Sequence, residues 1–216
     1  MTTVHPTLAE GPSLALLEHI VHQLSTCGYA VCDQAIPNDL LQALYQRVHA
    51  LPNDAFHTAG VGRADNHNVQ TTYRNDRIHW LQPDDATESR WLAWTEQLRR
   101  HINQHLFMGL DYYEAHFAHY APGQFYKRHV DAFRGQANRV LSTVLYLNPS
   151  WNEQDGGELL LFPTDSDHPE VAVRVTPNAA RLVVFLSEDL PHEVLPALRD
   201  RYSIAGWFRV RSQTVL

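Results

Sequence analysis

Tyr112-Tyr113-Glu114-Ala115-His116-Phe117-Ala118-His119-Tyr120, then Ala121-Pro122-Gly123, then Tyr126-Lys127-Arg128-His129-Val130-Asp131 open the part of this chain that decides its fold. From Tyr112 onward the sequence reads as short strands punctuated by turns. Strands are expected near residues 112–120, 124–131, 139–147, 157–162, 170–175, 181–187, 192–196 and 201–210. Pro122-Gly123, Asn148-Pro149, Gly156-Gly157 and Pro177-Asn178 separate several of them. Eight strands of this length suggest a double-sheet jelly roll, whose open mouth between the sheets is where ligands gather.

Working back towards the N-terminus, the texture turns helical. Leu14 to Leu24 carries apolar residues at 14, 16, 17, 20, 21 and 24, which is one helical face, and Gly28 ends it. Tyr29-Ala30-Val31-Cys32 looks like a short strand. Pro37-Asn38-Asp39 opens a second helix with Leu40, Leu41, Leu44 and Val48 inward. A third is expected from about Thr87 to Phe107, with Trp91, Trp94, Leu98, Ile102 and Leu106 on one side. Between them, residues 53–79 are polar and contain Gly60 and Gly62, a long excursion that could fold as a hairpin. The expected class is mostly β with packed helices (α+β), a jelly-roll core supported by N-terminal helices. One domain is expected over 1–216: helical support plus the polar excursion in 1–110, and the core in 111–212.

Composition excludes several functions. A net charge of −7 gives no electrostatic case for nucleic acid or an anionic membrane. No apolar run approaches about 18 residues, and Met1-Thr2-Thr3-Val4-His5-Pro6 does not read as a secretion signal. Cys27 and Cys32 are the only cysteines, too few for a disulfide framework or a zinc site, and read as inert thiols. A reduced cytoplasm fits this composition.

His129-Val130-Asp131, followed by His192 and Arg201, is the group that carries chemistry. On an extended strand, residues i and i+2 share a face, so His129 and Asp131 can grip one ion and a later strand can return His192. Two imidazoles and one carboxylate on one side of an octahedral metal leave positions open, which favours a non-haem Fe(II) oxygenase. The motif alone decides nothing, since about 1.6 His-X-acid matches arise by chance in this composition. The other match, His168-Pro169-Glu170, sits in a polar stretch with a proline and reads as a loop. Glu193 alternates to the face opposite His192 and competes poorly for the ion.

Arg201 begins Arg201-Tyr202-Ser203-Ile204-Ala205-Gly206-Trp207-Phe208, whose odd members share a face. A guanidinium turned into a barrel is costly unless an anion meets it. Its planar fork matches a carboxylate, so a small dicarboxylate fits; the alternative is a structural pair with a protein carboxylate.

His119-Tyr120-Ala121-Pro122-Gly123, Tyr126 to Asp131, Leu145-Tyr146-Leu147-Asn148, Gly156-Gly157-Glu158-Leu159, Pro191-His192-Glu193-Val194 and Arg201-Tyr202-Ser203-Ile204 occur in this order. This series resembles the iron(II)- and 2-oxoglutarate-dependent prolyl 4-hydroxylases, in particular the hypoxia-inducible-factor prolyl hydroxylases and their bacterial relatives. The resemblance covers about 112–210, with a weaker echo at Arg74 to Trp80. It implies iron ligation by His129, Asp131 and His192. It also implies binding of 2-oxoglutarate by Arg201 and Tyr146 at the distal carboxylate, with Tyr120 near the metal-proximal end. Arg139 and Trp207 match positions near bound substrate, and Arg74, Asp76 and Arg77 stand at the return of a segment that resembles a substrate-covering loop. Ala205 departs from the pattern, standing where the animal enzymes carry a hydroxyl residue.

The implied reaction consumes O2 and 2-oxoglutarate, releases succinate and carbon dioxide, and hydroxylates a substrate, with ascorbate as a candidate reductant. The resemblance favours a prolyl residue in a protein loop, with elongation factor Tu as a candidate. The alternatives are an oxygenase of a free amino acid or other small molecule, and a module sensing oxygen or 2-oxoglutarate through partner binding. No membrane or nucleic-acid partner is expected.

Overall fold

Ser13 starts the first helix by accepting the Leu16 amide on its hydroxyl, and α1 (Leu14–Cys27) stops at Gly28, whose left-handed φ of 79° turns the chain away. The computed structural model describes residues 11–59, 73–132, 138–163 and 172–211. Helix α2 (Asn38–Ala50) follows Pro37, and α3 (Ala86–Leu106) starts at Asp85, whose carboxylate accepts the amides of Thr87 and Glu88. The buried positions are those spaced for one face: Leu17, Ile20 and Leu24; Leu40, Leu41, Leu44 and Val48; Trp91, Trp94, Leu98 and Ile102. Each fully buried leucine or isoleucine contributes about 1.5–3 kcal/mol of transfer free energy.

The strands are β1 (Tyr29–Cys32), β2 (His57–Thr58), β3 (Arg77–Trp80), β4 (Tyr112–Tyr120), β5 (Tyr126–His129), β6 (Arg139–Tyr146), β7 (Leu159–Leu161), β8 (Val173–Val175), β9 (Leu182–Leu186), β10 (His192–Val194) and β11 (Arg201–Arg209). All eight strands expected after Tyr112 form. They make two antiparallel sheets, in the orders β1-β9-β6-β11-β4-β3-β2 and β5-β10-β7-β8. This is the jelly roll, widened at one edge by β1 and at the other by the β2–β3 hairpin.

Alternation then decides what each face meets. Phe117 on β4, Leu141 and Leu145 on β6, Leu182 and Val184 on β9, and Ile204 and Phe208 on β11 pack with the helices in one core. Ala118, Tyr120, Tyr146, Val183 and Phe185 turn the other way and join Leu159, Leu161, Val175 and Val194 of the smaller sheet. The helices therefore cover one outer face, and the mouth between the sheets is left for a site.

Three expectations need adjustment. The polar excursion at 53–79 is partly regular: β2 pairs with β3, and β3 pairs with β4 through Arg77↔His119 to Trp80↔His116. Its middle, residues 60–72, lies outside the described residues, as does His168-Pro169-Glu170. Strand β5 stops at His129, so Asp131 stands in a bend rather than on the strand. Both thiols are free, but Cys27 is exposed; Cys32 is buried, and that burial pushes its thiol up to about 11. Among the described residues, no helix is long and apolar enough to cross a membrane.

Candidate active site

Sheet register brings the two histidines together. His129 ends β5 and His192 begins β10; the two are Cα partners, and their ring centroids lie 4.2 Å apart. Asp131 reaches the same point from its bend. Its Oδ1 is 3.6 Å from His129 Nε2, and its Oδ2 is 3.7 Å from His192 Nε2. One donor atom from each residue falls within 4.8 Å of the others, so the three could hold a metal ion.

The hydrogen bonds around them fix the donor chemistry. His129 Nδ1 donates to the Lys127 carbonyl at 2.7 Å, and His192 Nδ1 donates to the Leu190 carbonyl at 3.1 Å. A carbonyl only accepts, so each Nδ1 keeps its proton, and Nε2 is the nitrogen left to offer a lone pair in the neutral tautomer. Burial, outweighing the nearby Asp131 carboxylate, brings His192 down to about 4, so the ring is neutral near pH 7. Burial alone would raise Asp131, yet His192, His129 and the Ser142 hydroxyl hold its carboxyl well below the usual range. Two imidazole nitrogens and one carboxylate anion fit a divalent iron.

Arg201, 1% exposed, lies in the same pocket. Its Nε donates to the Gly157 carbonyl at 2.9 Å, and its guanidinium carbon sits 4.9 Å from the Tyr120 ring centre and 5.0 Å from that of Tyr146. Among the described residues, no carboxylate pairs with it, so the structural ion pair is absent. The Tyr146 hydroxyl is buried without a hydrogen-bond partner among them. Burial raises its pKa although Arg201 opposes the shift, so the phenol stays a donor. A guanidinium lacking a counter-anion beside an unsatisfied buried phenol is what a carboxylate would complete.

The remaining expected residues divide. Tyr120, Trp207 and Arg74 line the pocket with the triad and Arg201. Tyr146 is not among the lining residues, but its ring centre lies 5.0 Å from the guanidinium carbon of Arg201, which lines the pocket. Arg74 forms two bonds with the fully buried Asp76, at 2.5 and 2.9 Å, and lies 4.6 Å from the centre of the Tyr126 ring. Asp76 is therefore spent on Arg74 and does not face substrate as a free charge. Arg77 donates to the Asn53 and Phe56 carbonyls, which staples the hairpin; it is not brought to the pocket. Arg139 lies 3.8 Å from the centre of the Trp207 ring and bonds Glu114 at 3.0 Å.

Sequence reading passed over several pocket residues. Tyr126 stacks on His129 with ring centroids 3.5 Å apart. His116 lines the pocket at 1% exposure beside Trp80 and Trp207, and burial, with Arg74 adding to it, brings it down to about 4. Parity could have found His116, because it shares a face with Ala118 and Tyr120. Parity would equally have found Ser142, which does not line the pocket but shares the Tyr146 face and donates to Asp131 at 2.6 Å.

Residues 115–209 match the family model described as the 2OG-Fe(II) oxygenase superfamily. A solved prolyl-4-hydroxylase of Pseudomonas putida is 41% identical, with a match covering 91% of this chain and 100% of that one and a TM-score of 0.81. The chain belongs to the 2OG-Fe(II) oxygenase superfamily. Within it, the oxygenase is also similar to a Trichoplax adhaerens prolyl hydroxylase solved with a hypoxia-inducible factor oxygen degradation domain peptide fragment. That match is 28% identical, covers 90% of this chain and 89% of that one, and has a TM-score of 0.80. Human Egl nine homolog 1 is 30% identical over 91% of the oxygenase and 47% of its own length, so the chain spans about half of this curated relative. Ala205 does line the pocket, which puts its missing hydroxyl beside the candidate centre.

Proposed function

We propose that this chain is an iron(II)- and 2-oxoglutarate-dependent dioxygenase that hydroxylates a prolyl residue in a protein loop, with succinate and carbon dioxide as co-products. The observation that carries the reading is a His129-Asp131-His192 donor set sharing one pocket with a buried Arg201 that lacks a counter-anion among the described residues. His129, Asp131 and His192 would hold the iron. Arg201 would pair with the distal carboxylate of 2-oxoglutarate, and Tyr146 would donate its O–H to the same group. Bound together, the iron and the cosubstrate supply the oxidising power, drawing on O2.

The chain's own residues bind, orient and dry the site. The Lys127 and Leu190 carbonyls keep both imidazoles in the tautomer that offers Nε2. Leu159, Phe185 and Val194 wall the pocket with apolar surface, which strengthens every charge interaction inside it. Trp207 and His116, with the 43% exposed Trp80 beside them, offer flat apolar surface for a pyrrolidine ring. Arg139, held on Trp207 and tied to Glu114, would steady the flanking peptide. Arg74, although paired, borders the same space.

In this reading 1–216 act as one oxygenase domain in the cytoplasm, with ascorbate restoring iron after uncoupled turnover. A loop of elongation factor Tu is the preferred substrate. The peptide in the Trichoplax adhaerens complex supports an extended protein segment as the substrate class. Incubating the purified protein with Fe(II), 2-oxoglutarate and cell-lysate proteins should add one oxygen atom to a prolyl residue, read by peptide mass spectrometry. Oxidation of free proline that outpaces every proline-containing peptide would replace this reading with a small-molecule oxygenase.

A further inference from the structure

Ser142 and Ser187 form a chain of hydroxyls that ends on Asp131. Ser142 Oγ is 2.6 Å from Asp131 Oδ2 and 2.9 Å from Ser187 Oγ, and the two serines are 1% and 0% exposed. An ionised carboxylate only accepts, so the Ser142 hydroxyl donates a hydrogen bond to Asp131, and its own oxygen then accepts from Ser187. Direction is thereby fixed along the whole chain, and each bond polarises the next. The three residues come from separate segments: the bend after β5, strand β6, and the residue after β9. Parity aims them inward, Ser142 with Val144 and Tyr146, Ser187 with Val183 and Phe185.

We infer that Ser142, supported by Ser187, is the positioning residue that restricts Asp131 to ligation through one oxygen. Oδ2, 3.7 Å from His192 Nε2, spends one of its lone pairs on Ser142, so Oδ1, 3.6 Å from His129 Nε2, is the oxygen freer to bind an ion. A carboxylate gripping with both oxygens would fill one more of the six positions of an octahedral ion. Three protein donors would leave three positions for cosubstrate and O2, and a second carboxylate oxygen would compete for that room. Buried hydroxyls on an otherwise apolar wall cost desolvation, which the bonds to each other and to Asp131 offset. The inference rests on the metal reading of the triad.

Both can be tested on the full chain reconstituted anaerobically with Fe(II) and 2-oxoglutarate, with nitric oxide as the probe for a free iron position and electron paramagnetic resonance as the readout. Ser142→Ala should lose about 10–100-fold in Fe(II) affinity. At saturating Fe(II) it should also form far less nitric oxide adduct than wild type. Ser142→Thr, which restores the hydroxyl, should recover both, and Ser187→Ala should fall between. A Ser142→Ala adduct equal to wild type at saturating iron overturns the inference while leaving the triad intact. Should Ser142→Ala not fold, Ser187→Ala decides in the same way, since it touches no ligand: a wild-type adduct overturns the proposal. Wild-type protein that binds no Fe(II), or Asp131→Ala that binds it equally well, removes the metal reading and this inference with it.

Discussion

His129 and His192 stand opposite each other because one register pair of the small sheet joins the last residue of β5 to the first of β10. Their separation is therefore set by backbone hydrogen bonding, with each ring turned by its Nδ1 bond to a carbonyl. Only Asp131 depends on a bend and on a side-chain donor for its position. Asp131→Ala should abolish Fe(II) binding and turnover, because it removes the anionic donor. The fold should persist, since Asp131 itself belongs to neither apolar core. Calorimetric titration with Fe(II) under anaerobic conditions, alongside circular dichroism, checks both halves; wild-type affinity in this variant would sink the triad.

Arg201→Ala should weaken 2-oxoglutarate binding by about 2–5 kcal/mol, the range for truncating one partner of a buried charge pair. Tyr146→Phe removes one hydrogen bond to a charged group and should cost about 1.5–3 kcal/mol. Titrating the metal-to-ligand absorption of the Fe(II) protein with 2-oxoglutarate measures both. Unchanged binding in Arg201→Ala would move the clamp elsewhere.

Much of this was legible before any coordinates. The strand pattern after Tyr112 gave all eight strands, and parity along 201–208 put Arg201, Ser203, Ala205 and Trp207 on one face, where they line the pocket. The hairpin edge was harder to read because it buries little: β2 is exposed at both positions, and no residue of β3 is buried, so neither shows a hydrophobic period. Arg77 is expected near substrate only through the resemblance of its segment to a covering loop; its carbonyl partners on Asn53 and Phe56 are set by chain path, not residue type. The Lys127 and Leu190 carbonyls are invisible in principle, since every residue carries one. The Arg74–Asp76 pair was visible as two charges, but not as two charges spent on each other.

That pair carries its own expectation. Asp76 is fully buried, and its carboxylate holds the Arg74 guanidinium above its usual value although burial opposes this. Asp76→Ala would leave a buried cation uncompensated and should cost about 3–5 kcal/mol of stability. Arg77→Ala, at the hairpin surface, should cost far less. Urea unfolding at constant pH ranks the two; equal costs would mean that Arg74 finds another anion.

Acid should destabilise the metal-free protein through its buried histidines. His116 and His192 both fall to about 4, chiefly by burial, against an ordinary 6.5. The folded pKa is the lower one, so the unfolded chain binds more protons between these values. The stability is fully present above about 6.5 and is lost as pH falls towards about 4. A full shift of this size is roughly 3 kcal/mol per group, an upper bound for each. His116→Gln should flatten the loss between pH 6.5 and 4 without removing it, because His192 remains. Midpoints of urea unfolding across that window test this, and a wild-type slope in His116→Gln would remove His116 from the account.

Gly157 ties the cosubstrate end of the pocket to the backbone. Its carbonyl receives Arg201 Nε, and it sits at a φ of 70°, a left-handed conformation that costs a residue with a Cβ about 1–2 kcal/mol. A Cβ there would also meet Ala197 Cβ at 2.9 Å and Arg201 Cδ at 3.1 Å, which leaves the guanidinium stem little room. Gly157→Ala should therefore displace Arg201 while leaving His129, Asp131 and His192 in place, since none of the three lies among the atoms it would strike. The expected signature is a raised KM for 2-oxoglutarate with unaltered Fe(II) affinity. A loss of Fe(II) binding to match the loss of cosubstrate would mean that the two ends of the pocket are held by one piece of structure rather than by separate strands.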